Sequence, residues 1–391
     1  MKILITTDCN KNNVCGVTAV VIALSKGLRG LGHEVKILSL SDNHKSFKDG
    51  DACFIRSIPA FYYPDMRMSL SMHDPLLMEL TDWAPDIIHS QSEGTTFIMA
   101  LRIRKQCNIP LVMTCHTDYA YFAFGKFRSL PPVKVLMSTV GKKVYSHAVK
   151  VTVPSYKATD FPLLHGLRDQ LTVIPNGVEL EKYRKHLSSD ERHKFRTAMG
   201  IDDDTKALVT VARLSKEKNI REIIEFLPDL KKVCPNVKYI IVGDGPDREH
   251  LEKLTETLGL SGTVIFTGQI PSDDVWRYYA SGDLFVSAST FEVHSISYLE
   301  ALVNGLPLLC REDEALRGVL EHEKNGLIYR SKEEFCEFAK KILNNDELRK
   351  DMSRCSIRIA EGFSSEAFSV SMLNLYEDAI RKYKEAQDDH P

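Results

Sequence analysis

The chain has 391 residues, 43% hydrophobic and 27% charged, with a formal net charge of −2. That length exceeds what one hydrophobic core organises and calls for two or three domains, with two as the working number. Nine cysteines, odd in number and without a CxxC pair, argue against a disulfide framework or a zinc site and point to a reducing cytoplasm.

The N-terminal MKILITTD carries one basic residue and a short apolar run before Asp8, so no signal peptide is expected, and no 18-residue apolar span occurs elsewhere. Any membrane contact should be peripheral. Short apolar runs then alternate with amphipathic segments: KILITT, the helix-like VTAVVIALSKGLRGLG, EVKILSL, and later DIIHS, LVMTCH and KVTVPS. This alternation predicts βα units on a parallel sheet. Around residues 175–205 it breaks into PNGVELEKYRK and a charged helical piece ending in IDDD. The strands restart with ALVTVARL, KYIIVGDG, TVIFTG, LFVSAS and LPLLCR. A boundary near residue 180 is expected. After Ser331 the pattern is helical, ending in a segment whose stripe of Phe368, Met372, Leu375, Tyr376 and Ile380 has helical spacing. The fold class expected is α/β, with two Rossmann-like domains, 1–180 and 181–365, and a C-terminal helix, 366–391, packing back on the N-terminal domain.

In open α/β sheets ligands bind at the carboxyl ends of the strands, so the informative residues should follow each apolar run. Gly16, in the turn TTDCNKNNVCGVT, directly precedes a helix, where a missing side chain lets an anion approach the helix N-terminus; a plain turn glycine would look the same. His116 closes LVMTCHTDY beside Thr117 and Asp118, placed either to meet a sugar hydroxyl or to serve the structure. In VARLSKEKNI, Arg213 and Lys218 reach the end of a strand together and could clamp a diphosphate; a solvated basic turn is the plainer reading. VGDGPDREHL has Gly243 and Gly245 but Arg248 where a third glycine would fall, and the first turn has no GxGxxG, so a nicotinamide-dependent oxidoreductase is disfavoured. Asp49-Gly50-Asp51 resembles a metal-binding DxD but sits in a polar turn, and no metal site is expected there.

The stretch TFEVHSISYLEAL sets Glu292 and Glu300 with seven residues between them. Glu292 follows a predicted strand and Glu300 lies on the next helix, so both can border one cleft. The amides around His294, Ser295 and Ile296 would face a diphosphate. Alternatively Ser297 and Glu300 form an S-x-x-E capping box.

Between Asp118 and Asp160 no acidic residue occurs, while Lys126, Arg128, Lys134, Lys142, Lys143, Lys150 and Lys157 supply seven positive charges among Tyr121, Phe122, Phe124, Phe127, Leu130, Val135, Leu136 and Met137. This is the composition of a segment resting on an anionic membrane surface, where each basic residue contributes about 1 kcal/mol. A solvated helix over a packed core is the alternative.

Taken in order, the Gly16 turn, GHEVKILSLS, DIIHSQS, the His116 strand tip, TVIPNGV, VARLSKEKNI, IVGDGP, FTG, the paired glutamates and NGLIY resemble the family 4 retaining glycosyltransferases. Single motifs are moderately specific and the ordered set is highly so. IPAFYYPDMRM resembles the bacterial diacylglycerol glucosyltransferase branch. The resemblance implies the GT-B fold, two facing Rossmann-like domains, the first binding the acceptor and the second the nucleotide sugar. It implies that Glu292 lies near the donor sugar hydroxyls, that Glu300 binds the ribose, that Arg213 and Lys218 hold the diphosphate and that His116 contacts the sugar. His116, Glu292, Arg213 and Lys218 are thus the catalytic candidates. Gly16, Asp118, Gly243, His294, Ser295, Ile296 and Glu300 join Arg213 and Lys218 as the substrate-binding ones. Many members have an aromatic residue followed by glycine where this chain has His294-Ser295.

The function so implied is transfer of a hexose, glucose above others, from a UDP-sugar to diacylglycerol or a related lipid. The place is the inner face of the cell membrane, without cofactor or metal and without nucleic acid as a partner. A soluble or polyprenyl-linked glycan is the rival acceptor. A UDP-sugar epimerase and a non-catalytic sugar-nucleotide sensor are the readings from other classes.

Overall fold

The computed structural model describes residues 1–9, 16–59, 67–167 and 170–388, without the side chains of Phe122, Lys126 and Arg128. Residues 10–15 of the first turn and 60–66 of IPAFYYPDMRM lie outside the described residues. The chain divides into two units, Met1–Val178 with Ser365–Pro391, and Glu179–Ser364.

In the first unit β1 (Lys2–Thr6) is a continuous apolar run with Ile3, Leu4 and Ile5 wholly buried, as a parallel strand covered on both faces requires. It is followed by α1 (Gly16–Gly30), β2 (Glu34–Leu40), β3 (Phe47–Asp49), β4 (Ala52–Ile55) and a small ladder of β5 (Ile58–Pro59) and β6 (Arg67–Met68). Next come α2 (Pro75–Asp82), β7 (Ile87–Ser90), α3 (Thr95–Cys107), β8 (Leu111–Thr114), α4 (Tyr119–Phe124), α5 (Pro131–Tyr145), β9 (Lys150–Val153) and β10 (Leu171–Val173). The eight-stranded sheet runs β10-β9-β8-β7-β1-β2-β4-β3, parallel except for β3. Asp49-Gly50-Asp51 forms the β3–β4 turn, with Gly50 at φ +58°, a conformation glycine takes without steric cost, and Asp51 3.4 Å from Arg29.

The second unit opens with α6 (Leu180–Tyr183) and α7 (Ser189–Ala198), the latter begun by a capping box between Ser188 and Glu191. It continues with β11 (Lys206–Val211), α8 (Ile220–Val233), β12 (Val237–Val242), α9 (Arg248–Thr257), β13 (Val264–Gly268), α10 (Val275–Ser281) and β14 (Leu284–Ser287). It closes with α11 (Ile296–Val303), β15 (Leu308–Arg311), β16 (Gly326–Tyr329), α12 (Lys332–Leu343) and α13 (Asp346–Glu361). Six parallel strands run β13-β12-β11-β14-β15-β16, the doubly wound order of a nucleotide-binding sheet. Leu208, Ile241, Val286, Leu309 and Leu327 pack in one core with Ile223, Leu227 and Ile342.

The last helix, α14 (Ser365–Asp388), belongs to the first unit. Its stripe is buried at Phe368, Met372, Leu375 and Tyr376 and half-buried at Ile380. Fully burying such a side chain stabilises by roughly 1.5–3 kcal/mol. Gly27 of α1 is needed there, because a Cβ would lie 2.2 Å from Ser369 Oγ. Tyr376 Oη lies 2.6 Å from His89 Nδ1, and Ser365 N donates to Val178 O at 3.0 Å.

Candidate active site

The strand order of the second unit reverses between β11 and β14, and the loops after these two strands carry most of the candidate residues. Hydrogen bonds to main-chain carbonyls stitch the loops together. Thr290 N and Ser289 Oγ both donate to Glu217 O, at 3.2 and 3.3 Å, and Asn219 Nδ2 donates to Ala288 O at 3.2 Å. The result is that Lys218 Nζ meets Glu292 Oε1 at 2.7 Å, with 24% and 9% of the two side chains exposed. Arg213 stands exposed at the end of β11. Gly243, after β12, holds φ +133°, and a Cβ there would lie 2.0 Å from Ala212 O; at Gly245 it would lie 2.4 Å from Leu214 O. Both glycines let the loop after β12 press on the loop that carries Arg213.

Glu300 is buried in α11 and accepts from Tyr279 Oη at 2.7 Å, with Tyr183 as a second hydroxyl partner. Burial pushes its carboxyl above the ordinary carboxylate value, against the pull of the two tyrosines. The capping box does not form. The N-cap of α11 is Ser295, whose side chain bonds Ser297 Oγ at 3.0 Å and caps no amide, and the Glu300 carboxylate turns to the tyrosines instead. The amides that open α11 therefore have no side-chain cap, the arrangement that receives an anion. His294 is buried with its ring 5.6 Å from that of Phe363, and its Nδ1 has no hydrogen-bond partner among the described residues. Burial lowers its pKa to about 4, so the imidazole is neutral at physiological pH. Ile296 is the first residue of α11.

In the first unit the order reverses between β1 and β7. His116, just past β8, meets Gln91 Oε1 at 2.5 Å; an amide oxygen only accepts, so His116 Nε2 carries the proton. Asp118 is buried and caps α4, its Oδ1 accepting from Tyr121 N at 3.2 Å. Gly16 is the exposed first residue of α1. Motif spacing gave no sign of Asp8, whose Oδ1 accepts from Thr96 N at 2.9 Å and so caps α3 in place of the side chain that Gly94 lacks. Nor did it show Tyr183 and Tyr279, which come to Glu300 from α6 and α10. Among the described residues no group of three or more His, Cys, Asp and Glu is placed to hold a metal ion.

The segment from α4 to α5 has an unusual surface. Met137, Gly141 and Tyr145 form the buried face of α5, Gly141 so close that a Cβ would strike Leu163 O. Large apolar side chains also face outward: Phe127, Leu130, Val135, Leu136 and Val140 are 55%, 50%, 68%, 52% and 43% exposed, beside exposed Lys142 and Lys143. No helix among the described residues is long and apolar enough to cross a membrane.

Residues 14–182 match the family described as Glycosyltransferase Family 4, and residues 191–357 match Glycosyl transferases group 1. The chain is 30% identical over 336 residues to an alpha-monoglucosyldiacylglycerol synthase of Streptococcus pneumoniae, covering 84% of this chain and 75% of that one. It is 28% identical over 394 residues to the protein of the same name from Acholeplasma laidlawii, covering 98% of each. Among solved structures it is similar to HepE of Anabaena in complex with UDP and glucose, with TM-score 0.76 and 19% identity over 97% of this chain and 100% of that one.

Proposed function

The chain belongs to the family 4 glycosyltransferases, and on that footing we propose that it moves a hexose, glucose above others, from a UDP-sugar to diacylglycerol with retention of anomeric configuration. The fold is GT-B and the activity is that of a hexosyltransferase. Support for the donor comes from the second unit. Arg213, Lys218 and the uncapped amides of α11 supply cationic and N–H partners for a diphosphate, and carboxylates such as Glu292 suit sugar hydroxyls. Glu300 reaches the ribose from its tyrosine pair, and Gly243 holds the adjoining loop close. In the reaction the bond from the anomeric carbon to the β-phosphate oxygen breaks, the acceptor oxygen bonds that carbon on the same face, and the acceptor proton passes to the departing phosphate. The chain's residues position the donor and stabilise the leaving charge.

The observation that carries the lipid acceptor is the outward apolar face of α5 and the turn before it, set among lysines. Five large apolar side chains exposed in one run are costly in water and favourable in the interface of a bilayer. The names of the relatives from Streptococcus pneumoniae and Acholeplasma laidlawii agree with that acceptor. The protein then works peripherally, on the cytoplasmic face of the membrane. Radiolabelled UDP-glucose incubated with liposomes containing diacylglycerol should yield label in a lipid that thin-layer chromatography separates. Label that appears only on a soluble or polyprenyl-linked glycan would transfer the assignment to that acceptor.

A further inference from the structure

Both ends of the segment from α4 to α5 are tied to one carboxylate. Glu93 Oε2 accepts from the hydroxyl of Tyr119, the first residue of α4, at 2.6 Å, and Oε1 accepts from that of Tyr145, the last residue of α5, at 2.6 Å. Between these anchors lies the whole run of outward apolar residues. Tyr145 is only 1% exposed, so its hydroxyl has no ready replacement for that bond in water.

The loop that carries Glu93 is itself pinned. Asp8 N donates to Ser92 Oγ at 2.9 Å, Asp8 Oδ1 takes the Thr96 amide, and at Gly94 a Cβ would lie 2.1 Å from Asp8 Oδ2. Two residues before Glu93, Gln91 Oε1 holds His116. One short rigid stretch thus grips the lipid-facing segment at one end and the candidate sugar ligand at the other.

We propose that Glu93 is a positioning residue that couples the seating of the lipid-facing segment to the placing of His116. A carboxyl group suits the task because its two oxygens can each serve one phenol, whereas a glutamine offers one oxygen only. A shift of α4 or α5 on the bilayer reaches the Gln91–His116 bond through residues 91–93. This inference rests on the lipid-acceptor reading.

The test uses the full chain as Glu93→Gln and as the double variant Tyr119→Phe/Tyr145→Phe, with vesicles of phosphatidylglycerol and diacylglycerol. Loss of these buried bonds should raise the vesicle concentration for half-maximal transfer by roughly tenfold. UDP affinity, which the second unit carries in the proposed reading, should remain at the wild-type value. Unchanged vesicle dependence in both variants overturns the proposal. A parallel fall in UDP affinity also overturns it, because the role is then merely structural. If the wild type neither binds vesicles nor makes a labelled lipid, the acceptor reading is what fails, and hydrogen exchange then decides the clamp. Faster exchange of the α5 amides in the variants supports it, and unchanged protection overturns it.

Discussion

Lys218 Nζ lies 2.7 Å from Glu292 Oε1, an ion pair that joins the loop after β11 to the loop after β14 at the reversal point of the second sheet. On the proposed reading a diphosphate gives Lys218 a second anion to hold, and Glu292 keeps a lone pair for sugar hydroxyls. Arg213→Ala and Lys218→Ala should each lower kcat/KM by about 10²-fold, since each removes a charge-assisted contact to the leaving group. Glu292→Gln should lower kcat while leaving UDP affinity near wild type. Steady-state rates and calorimetric UDP titration separate the two effects, and undiminished turnover in both cation variants would remove the clamp.

Glu300 gives a pH signature. Burial raises its carboxyl above the ordinary 4.5, so the folded chain holds a proton that the unfolded chain has released. The stability this group contributes is therefore fully present below that ordinary value and is lost as pH rises through the raised one. Glu300→Gln does not titrate. The Tm of the wild type minus that of the variant should fall as pH rises above the ordinary carboxylate value. A difference that stays flat as pH rises contradicts the raised carboxyl.

The fold of α14 onto the first unit can be probed at Tyr376, whose hydroxyl meets the wholly buried His89. Tyr376→Phe removes that partner and should destabilise the protein by about 1–3 kcal/mol, read from the urea midpoint. No change in midpoint would mean that the imidazole finds another partner.

Transfer should survive excess EDTA, because Arg213, Lys218 and helix-end amides are cast as the partners of the leaving diphosphate. Complete loss of activity, restored by Mg²⁺ or Mn²⁺, would contradict that assignment.

The proposed membrane docking through α5 would be electrostatic as well as apolar. Vesicle sedimentation should be strong with anionic lipid and weaken as salt shortens the screening length from ~10 Å at 0.1 M to ~3 Å at 1 M. Lys142→Glu with Lys143→Glu should release the protein from vesicles and leave UDP binding unchanged. Equal binding of wild type and variant at every salt concentration would assign the surface another use.

The α/β character was legible because buried parallel strands such as KILIT and KYIIV read as unbroken apolar runs, and their alternation with amphipathic segments fixes the fold class. The spacing of Glu292 and Glu300 was visible in the sequence, and the family resemblance gave the pair its expected roles. The partners of Glu300 were not visible: Tyr183 and Tyr279 approach it from separate helices, a relation that only tertiary packing creates. The S-x-x-E pattern misled by register, since the helix begins after Ser295 and places Ser297 inside its first turn. Asp118, expected among the substrate-binding residues, stands directly before a helical run, and its oxygen accepts the Tyr121 amide as the N-cap of α4. Gly243 was visible as a glycine, but the carbonyl of Ala212 that forbids any side chain at that place was not.

The hydrogen bond from Ser365 N to Val178 O brings together the points where the chain leaves the first unit and where it returns. The second unit is in effect a continuous insert, entered and left at one spot, so it can be cut out as a single cassette. A short loop joining Val178 directly to Ser365 would leave the first unit complete with its last helix. A chimaera that replaces residues 179–364 as one block would keep the first unit, its last helix included.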